Sequence, residues 1–308
     1  MSQYFYPIEE QINDCYEFLN KPHKNAYDMT ESELETAKAE LRQHFSFIPH
    51  PGYIQNIPKH NASGTLITGG IMKSKYRHFI ITIDGPCGAG KTTTAKALAK
   101  RLNAMYLDTG GMYRALAYAF IIKEFDYENT GDEHRGQVAK DIYDNRITIT
   151  YDKSGQMRFT LDNEDITGKI RTQQVSDASS RISVYPEIRD VINEAARKLA
   201  LGTDIVAEGR DTGTFLFPNA SIRYYLNAAL EHRSHRRMTQ TPDEFKTEQA
   251  AAEVIKNRDA RDMGRKTAPL PSQDEAAARG LTIVNNENMT LEETIAHLYN
   301  DIRAKINS

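Results

Sequence analysis

Apolar residues recur along this chain in two alternating rhythms. The run Phe79, Ile80, Ile81, Thr82, Ile83 is short and continuously apolar, as a buried strand is, and Ala95, Leu98, Ala99 and Leu102 then recur at helical spacing. The same alternation continues to the end. A strand is predicted over 104–108 and a helix over 110–123, with further helices near 172–182 and 186–200. Strands return at 204–207, 222–226 and 281–284, and a final amphipathic helix from about 291 (Leu291, Ile295, Leu298, Ile302) starts at a Thr290/Glu293 capping box. Segments 146–152 and 157–162 instead alternate apolar and polar residues around Lys153, Ser154 and Gly155, which predicts an antiparallel hairpin set into the pattern. Five strands interleaved with helices predict an α/β protein with a doubly wound parallel sheet and a ligand at its carboxyl edge.

The chain divides near residue 77. Before it, Tyr4, Phe5, Tyr6, Tyr16, Phe18, Tyr27, Phe45, Phe47 and Tyr53 make an aromatic-rich extension that must pack on something. Pro7 opens one predicted helix there, with Ile8, Ile12, Cys15 and Leu19 on one face, and a Thr30/Glu33 capping box opens a second that ends near His44. Residues 48–72 are rich in Pro, Gly, Asn and Ser and read as a linker. The histidines of this segment (His23, His44, His50, His60) lack metal-ligand spacing.

Composition narrows the function classes. A net charge of -3 gives no bulk basicity, so neither nucleic acid nor an anionic membrane is the expected partner. No apolar run reaches a membrane span and the first residues lack a signal-peptide pattern, so a cytoplasmic protein is expected. Cys15 and Cys87 are too distant in sequence to suggest a disulfide framework.

Chemistry enters at GPCGAGKT, residues 85–92, which fits the phosphate-loop pattern GxxxxGK[ST] between a strand and a helix. Gly85, Gly88 and Gly90 let the backbone curl so that successive N–H groups face one anion, Lys91 adds a point charge, and Thr92 offers a hydroxyl to Mg²⁺. The expected ATP site is Gly85, Pro86, Cys87, Gly88, Ala89, Gly90, Lys91, Thr92 and Thr93, with Cys87 a small filler within the loop.

The blocks ITIDGPCGAGKTTTAKALAKRL, YLDTGGMYRALA, ITGKIRTQQVSDASSRISVYPEIRDVI, AEGRDTGTFLFPNASIRYYL and KNRDARDMGRKTAPL occur in this order, and together they resemble the bacterial-type cytidylate kinases over about residues 78–305. The resemblance implies the P-loop nucleoside monophosphate kinase fold: a five-stranded parallel sheet with flanking helices, a monophosphate-binding insertion at about 126–203 containing the hairpin, and an Arg-rich lid at about 239–272. It implies transfer of the γ-phosphoryl group of ATP to CMP or dCMP, with Mg²⁺. Such an acceptor is already an anionic nucleophile, so the protein must position two anions and cancel their charge, a task suited to arginine forks. By the same resemblance Arg114, Arg210 and Arg265 hold the acceptor phosphate and Arg258 belongs to the lid. Lys91, Arg210, Arg258 and Arg265 form the catalytic set.

Cytosine shows an amine donor beside a ring acceptor, which uracil reverses, so a carboxylate selects C over U. The resemblance gives that role to Asp211, with Arg189 and Ser180 completing the base pocket, Asp262 on a sugar hydroxyl and Thr109 beside them. Asp108 and Glu208 end strands next to the loop and are expected to reach Mg²⁺ through its waters. Glu208 stands where the family reads Asp, and Asn residues in TIVNNENMTLEE stand where it has Asp and Thr near the adenine, which loosens the choice of phosphate donor. Arg233, Arg236 and Arg237 in LEHRSHRRM read as a solvated helix face. Two other readings stay open: a P-loop kinase for another small acceptor such as a modified pyrimidine nucleotide, and a nucleotide-binding regulatory protein acting through its extension. Whether the chain is a monomer or a homo-oligomer is open as well.

Overall fold

The computed structural model describes residues 79–307 except 153, 154 and 243, together with residues 29, 30, 32, 33, 36 and 37. The predicted helix at Pro7, the end of the second helix and the linker at 48–72 lie outside the described residues. The Thr30/Glu33 capping box is present: Thr30 N donates to Glu33 Oε2 at 2.6 Å and Glu33 N donates to Thr30 Oγ1 at 3.4 Å.

Five parallel strands form the central sheet: β1 (Ile80–Asp84), β2 (Met105–Asp108), β6 (Ile205–Glu208), β7 (Ile222–Asn227) and β8 (Thr282–Asn285), in the order β2-β6-β1-β7-β8. β1 pairs with β6 on one side and β7 on the other, with Ile83 opposite both Glu208 and Tyr224. The central strand is therefore covered on both edges and both faces, which is why its sequence is nearly all apolar. The strand order reverses at β1, so its carboxyl end opens the crevice in which such sheets bind ligands.

Each face carries its own core. On one, α1 (Lys91–Leu102) and the C-terminal helix α9 (Leu291–Asn307) pack Ala95, Leu98, Ile295, Leu298, Ile302 and Ile306 against Ile81, Ile83 and Val206. Each fully buried aliphatic side chain there contributes about 1.5–3 kcal/mol. On the other face lie α2 (Thr109–Ile122), α3 (Asp132–Asn145), α4 (Gln173–Ile182) and α5 (Pro186–Ala200), with the antiparallel strands β3 (Ile147–Tyr151), β4 (Met157–Leu161) and β5 (Glu164–Asp165). These strands are the predicted hairpin, extended by a third short strand. Two helices, α6 (Leu230–Gln240) and α7 (Glu248–Met263), form an antiparallel pair over the carboxyl edge, followed by short α8 (Gln273–Ala278). Among the described residues no helix is long and apolar enough to cross a membrane.

Helix α3 carries an apolar stripe only in its last turns (Ala139, Ile142, Tyr143), and Gly136 interrupts its first half. Its formation is tertiary: a Cβ at Gly136 would lie 3.1 Å from the Glu187 Cβ, so glycine lets α3 approach α5 closely, and Arg135 of α3 is tied to Glu187.

Candidate active site

The donor side is built where β1 turns into α1. Gly85 adopts φ +142°, and a Cβ there would sit 2.1 Å from the Leu226 carbonyl oxygen, so the loop can pass under β7 only with glycine at this position. The loop curls until Gly90, also left-handed, opens α1. Lys91 folds back to donate to the Pro86 carbonyl at 2.7 Å and is buried. That burial, reinforced by Arg210, pulls the Lys91 ammonium down to about 7. Thr93, expected in the ATP site, sits exposed in the first turn of α1.

Thr92 Oγ1 donates to Glu208 Oε1 at 2.8 Å, and Tyr106 holds the same carboxylate oxygen at 3.1 Å. A hydroxyl and a carboxylate side by side are hard oxygen donors, the chemistry Mg²⁺ prefers. No cluster of three or more His, Cys, Asp or Glu gathers among the described residues, so an ion here would complete its shell with phosphate and water. Asp108 is placed differently. It caps α2 by accepting from Gly111 N at 2.6 Å and carries Arg114 at 3.4 Å and Arg171 at 2.8 Å. Although burial alone would raise it, Arg114 and Arg171 hold the Asp108 carboxyl below its ordinary value. Asp108 thus holds two arginines, Arg114 and Arg171, a contact that carries no signal in the sequence.

On the side where the acceptor is expected, the turn after β6 carries Arg210 and Asp211. Glycine is required before them, since a Cβ at Gly209 would lie 2.6 Å from Thr109 Oγ1 and 2.7 Å from Thr212 Cγ2. The turn is pinned to β1 by Asp84, a fully buried carboxylate that accepts from Thr212 N and Gly213 N, both at 2.8 Å, and from the Thr212 hydroxyl. Burial pushes Asp84 up to about 6 despite these donors. Thr109 donates to the Glu208 carbonyl at 2.7 Å, fixing α2 to the same turn.

From there the predicted residues join into one buried network. Asp211 is paired with Arg189, which is 1% exposed, and with Arg265 at 3.6 Å. Asp262 accepts from Arg210 Nε at 2.8 Å, and Arg265 donates to the Asp262 carbonyl at 3.1 Å. Burial opposes the charge on Arg210, yet Asp262, Cys87 and Asp259 together outweigh it and raise its pKa. Arg258 donates to Ser176 Oγ at 2.7 Å, so helix α7, within the expected lid, lies against α4. Helix α4 starts at Thr172, whose hydroxyl accepts from Val175 N, and turns Ser176, Ser179 and Ser180 inward. Among the described residues several buried groups here lack hydrogen-bond partners: Ser180 Oγ, Arg114 Nε, Arg189 Nε, Arg258 Nε, Arg265 Nη2 and, on α2, Tyr113 Oη.

The three arginines of LEHRSHRRM do not form a solvated face, although Glu231, His232 and His235 of the same helix are exposed. Arg233 donates to Asp259 Oδ2 at 2.6 Å and to the Cys87 carbonyl at 2.8 Å. Arg236 donates to Asn286 Oδ1 at 3.1 Å and to its carbonyl at 2.7 Å, while Asn286 in turn donates to the Ala89 carbonyl at 3.1 Å. Arg237 reaches Gln173 and Glu244. The expectation failed because a run of basic residues looks alike whether water or a distant loop faces it. Asn286, one of the residues departing from the family pattern, is thus joined to the phosphate loop. Cys87 is buried in the loop; burial works against its ionisation, but Arg258, Arg210 and Lys91 bring the thiol below its ordinary pKa.

Comparison with known proteins agrees with this geometry. The family described as cytidylate kinase matches residues 81–304. The cytidylate kinase of Caldanaerobacter subterraneus subsp. tengcongensis is 37% identical over 226 residues, covering 72% of this chain and 94% of that protein. That of Mannheimia succiniciproducens is 34% identical over 233 residues, covering 75% and 98%, and that of Shewanella amazonensis is 36% identical over 228 residues, covering 73% and 96%. With a phosphate loop at β1, an arginine network at the carboxyl edge and this match along nearly the whole of its relatives, the chain belongs to the cytidylate kinase family.

Proposed function

We propose that this protein transfers the γ-phosphoryl group of ATP to CMP or dCMP, giving ADP and CDP or dCDP. The observation that carries this reading is the set of orphaned polar atoms. Ser180, Tyr113, Arg114, Arg189, Arg258 and Arg265 each bury a donor that has no hydrogen-bond partner among the described residues. An unmet buried donor costs about 1–3 kcal/mol, so several of them on the residues expected at the site favour a ligand rich in acceptor oxygens. A nucleoside monophosphate is such a ligand.

In this reading Lys91 and the loop amides hold the triphosphate, and Arg114, Arg210, Arg258 and Arg265 surround the acceptor phosphate. Asp211 accepts from the cytosine amine while Arg189 and Arg265 fix its orientation. Asp262 takes a sugar hydroxyl, and Ser180 offers its hydroxyl to the base. Thr92 and Glu208 hold Mg²⁺, which neutralises charge on the triphosphate when bound. No side chain need act as a general base, because the acceptor oxygen is already anionic. The arginines lower the repulsion between two anions brought into line, and burial strengthens each such contact by excluding water. Localisation in the cytoplasm is the compartment this reading expects.

An acceptor panel tests it. With ATP and Mg²⁺, CMP and dCMP should be turned over well ahead of UMP, AMP and shikimate. Preference for UMP or AMP would refute the base assignment, and preference for shikimate would refute a phosphate acceptor altogether.

A further inference from the structure

Two carboxylates of α7 grip the phosphate loop, and only one of them has a place in the acceptor site. Asp262 reaches the loop through Arg210, which also donates to the Gly85 carbonyl at 3.3 Å. Asp259 reaches it directly. Its Oδ1 accepts the Cys87 backbone N–H at 2.8 Å, and its Oδ2 accepts from Arg233 Nη1 at 2.6 Å. Arg233 Nη1 donates as well to the Cys87 carbonyl at 2.8 Å, so carboxylate, guanidinium and one loop residue close a ring. Arg233 is itself fixed by Nε donating to the Ala228 carbonyl at 3.0 Å, where β7 leads into α6. The side chains of Asp259 and Arg233 are each 12% exposed, so the ring is largely withdrawn from water, where charge-assisted hydrogen bonds are strong and directional.

The position of this ring gives it a consequence. Arg258 precedes Asp259 in sequence, and Asp262 and Arg265 follow within two turns of the same segment. The backbone that presents the acceptor contacts is therefore docked, through a residue outside the expected acceptor set, on the loop that holds the donor. We propose that Asp259, held by Arg233, is a positioning residue that couples the donor loop to the acceptor arginines, so that occupancy of one nucleotide site favours occupancy of the other. This rests on the reading of the loop as donor site and of the arginine network as CMP site. Coupling of this kind is reciprocal: whatever factor the donor adds to acceptor affinity, the acceptor adds to donor affinity.

Calorimetric titration of the full chain tests it, measuring CMP affinity with and without the non-hydrolysable donor β,γ-methylene-ATP and Mg²⁺. In the wild type the analogue should tighten CMP binding by about tenfold or more, the usual range of such coupling. In Asp259→Asn, whose amide nitrogen confronts Arg233, that factor should fall towards one while the affinity for the analogue alone stays within about twofold, and KM for CMP at saturating ATP should rise by up to the factor lost. Arg233→Lys, which keeps the charge but cannot hold Asp259 and the Cys87 carbonyl together, should lose part of the coupling. Coupling that survives in both variants overturns the proposal, as does a parallel loss of both single-ligand affinities, the mark of a merely structural role. A wild type that binds the analogue but takes up no CMP overturns the acceptor assignment, and the proposal with it. A wild type that binds both without coupling overturns the proposal alone.

Discussion

Replacing Asp84 by Asn separates the cost of a buried charge from the value of its hydrogen bonds. Asp84 is fully buried, and its pKa rises from 3.8 to about 6 because burial penalises the ionised form. A carboxyl shifted this way contributes most below pH 3.8, where both folded and unfolded chains are protonated. Its contribution declines as the unfolded chain ionises first and levels off above about 6, a loss of about 3 kcal/mol at 1.36 kcal/mol per pH unit. In Asp84→Asn the amide oxygen can keep the two Thr212 donors, but the NH₂ group then faces the Gly213 N–H, which donates at 2.8 Å in the wild type. A buried donor facing a donor costs about 1–3 kcal/mol at any pH. The variant should therefore be clearly destabilised in acid and close to wild type at neutrality, with its deficit shrinking by about 2 kcal/mol between about pH 4.5 and about pH 7. Urea unfolding of both proteins at the two pH values measures it. A deficit constant to within about 0.5 kcal/mol, outside the error of such extrapolations, would refute the reasoning. Because Thr212 and Gly213 directly follow Arg210 and Asp211, the same variant should raise KM for CMP.

Two further outcomes follow from the site. Lys91→Ala removes the loop's point charge, worth several kcal/mol when it acts in the transition state, and should abolish turnover without loss of fold; activity above about a tenth of wild type contradicts the site. Asp211→Asn offers an amide donor to uracil in place of a carboxylate and should narrow the CMP to UMP ratio of kcat/KM by about 1–3 kcal/mol, so an unchanged ratio removes Asp211 from base recognition.

Local signals in the sequence settled much of this protein. The phosphate loop was legible because its glycines, lysine and threonine must be adjacent in the chain to curl around one anion. The strands of the central sheet and the helices of its two cores other than α3 were legible for a similar reason: burial on a periodic element imposes a periodic pattern, as Leu298 and Ile302 show. The capping boxes at Thr30 and Thr290 were legible because a cap is made within four residues. Ordered motif blocks pointed to the acceptor residues, though not to what they touch. Tertiary structure decided that Asp108 holds Arg114 and Arg171, that α3 forms against α5, and that Arg233 closes a ring with Asp259 and Cys87. The partners in that ring are 172 and 146 residues from Cys87 along the chain. A charged side chain carries no mark of which distant group will face it; that is fixed only when burial removes water and leaves a carboxylate, a guanidinium and a backbone amide to satisfy one another.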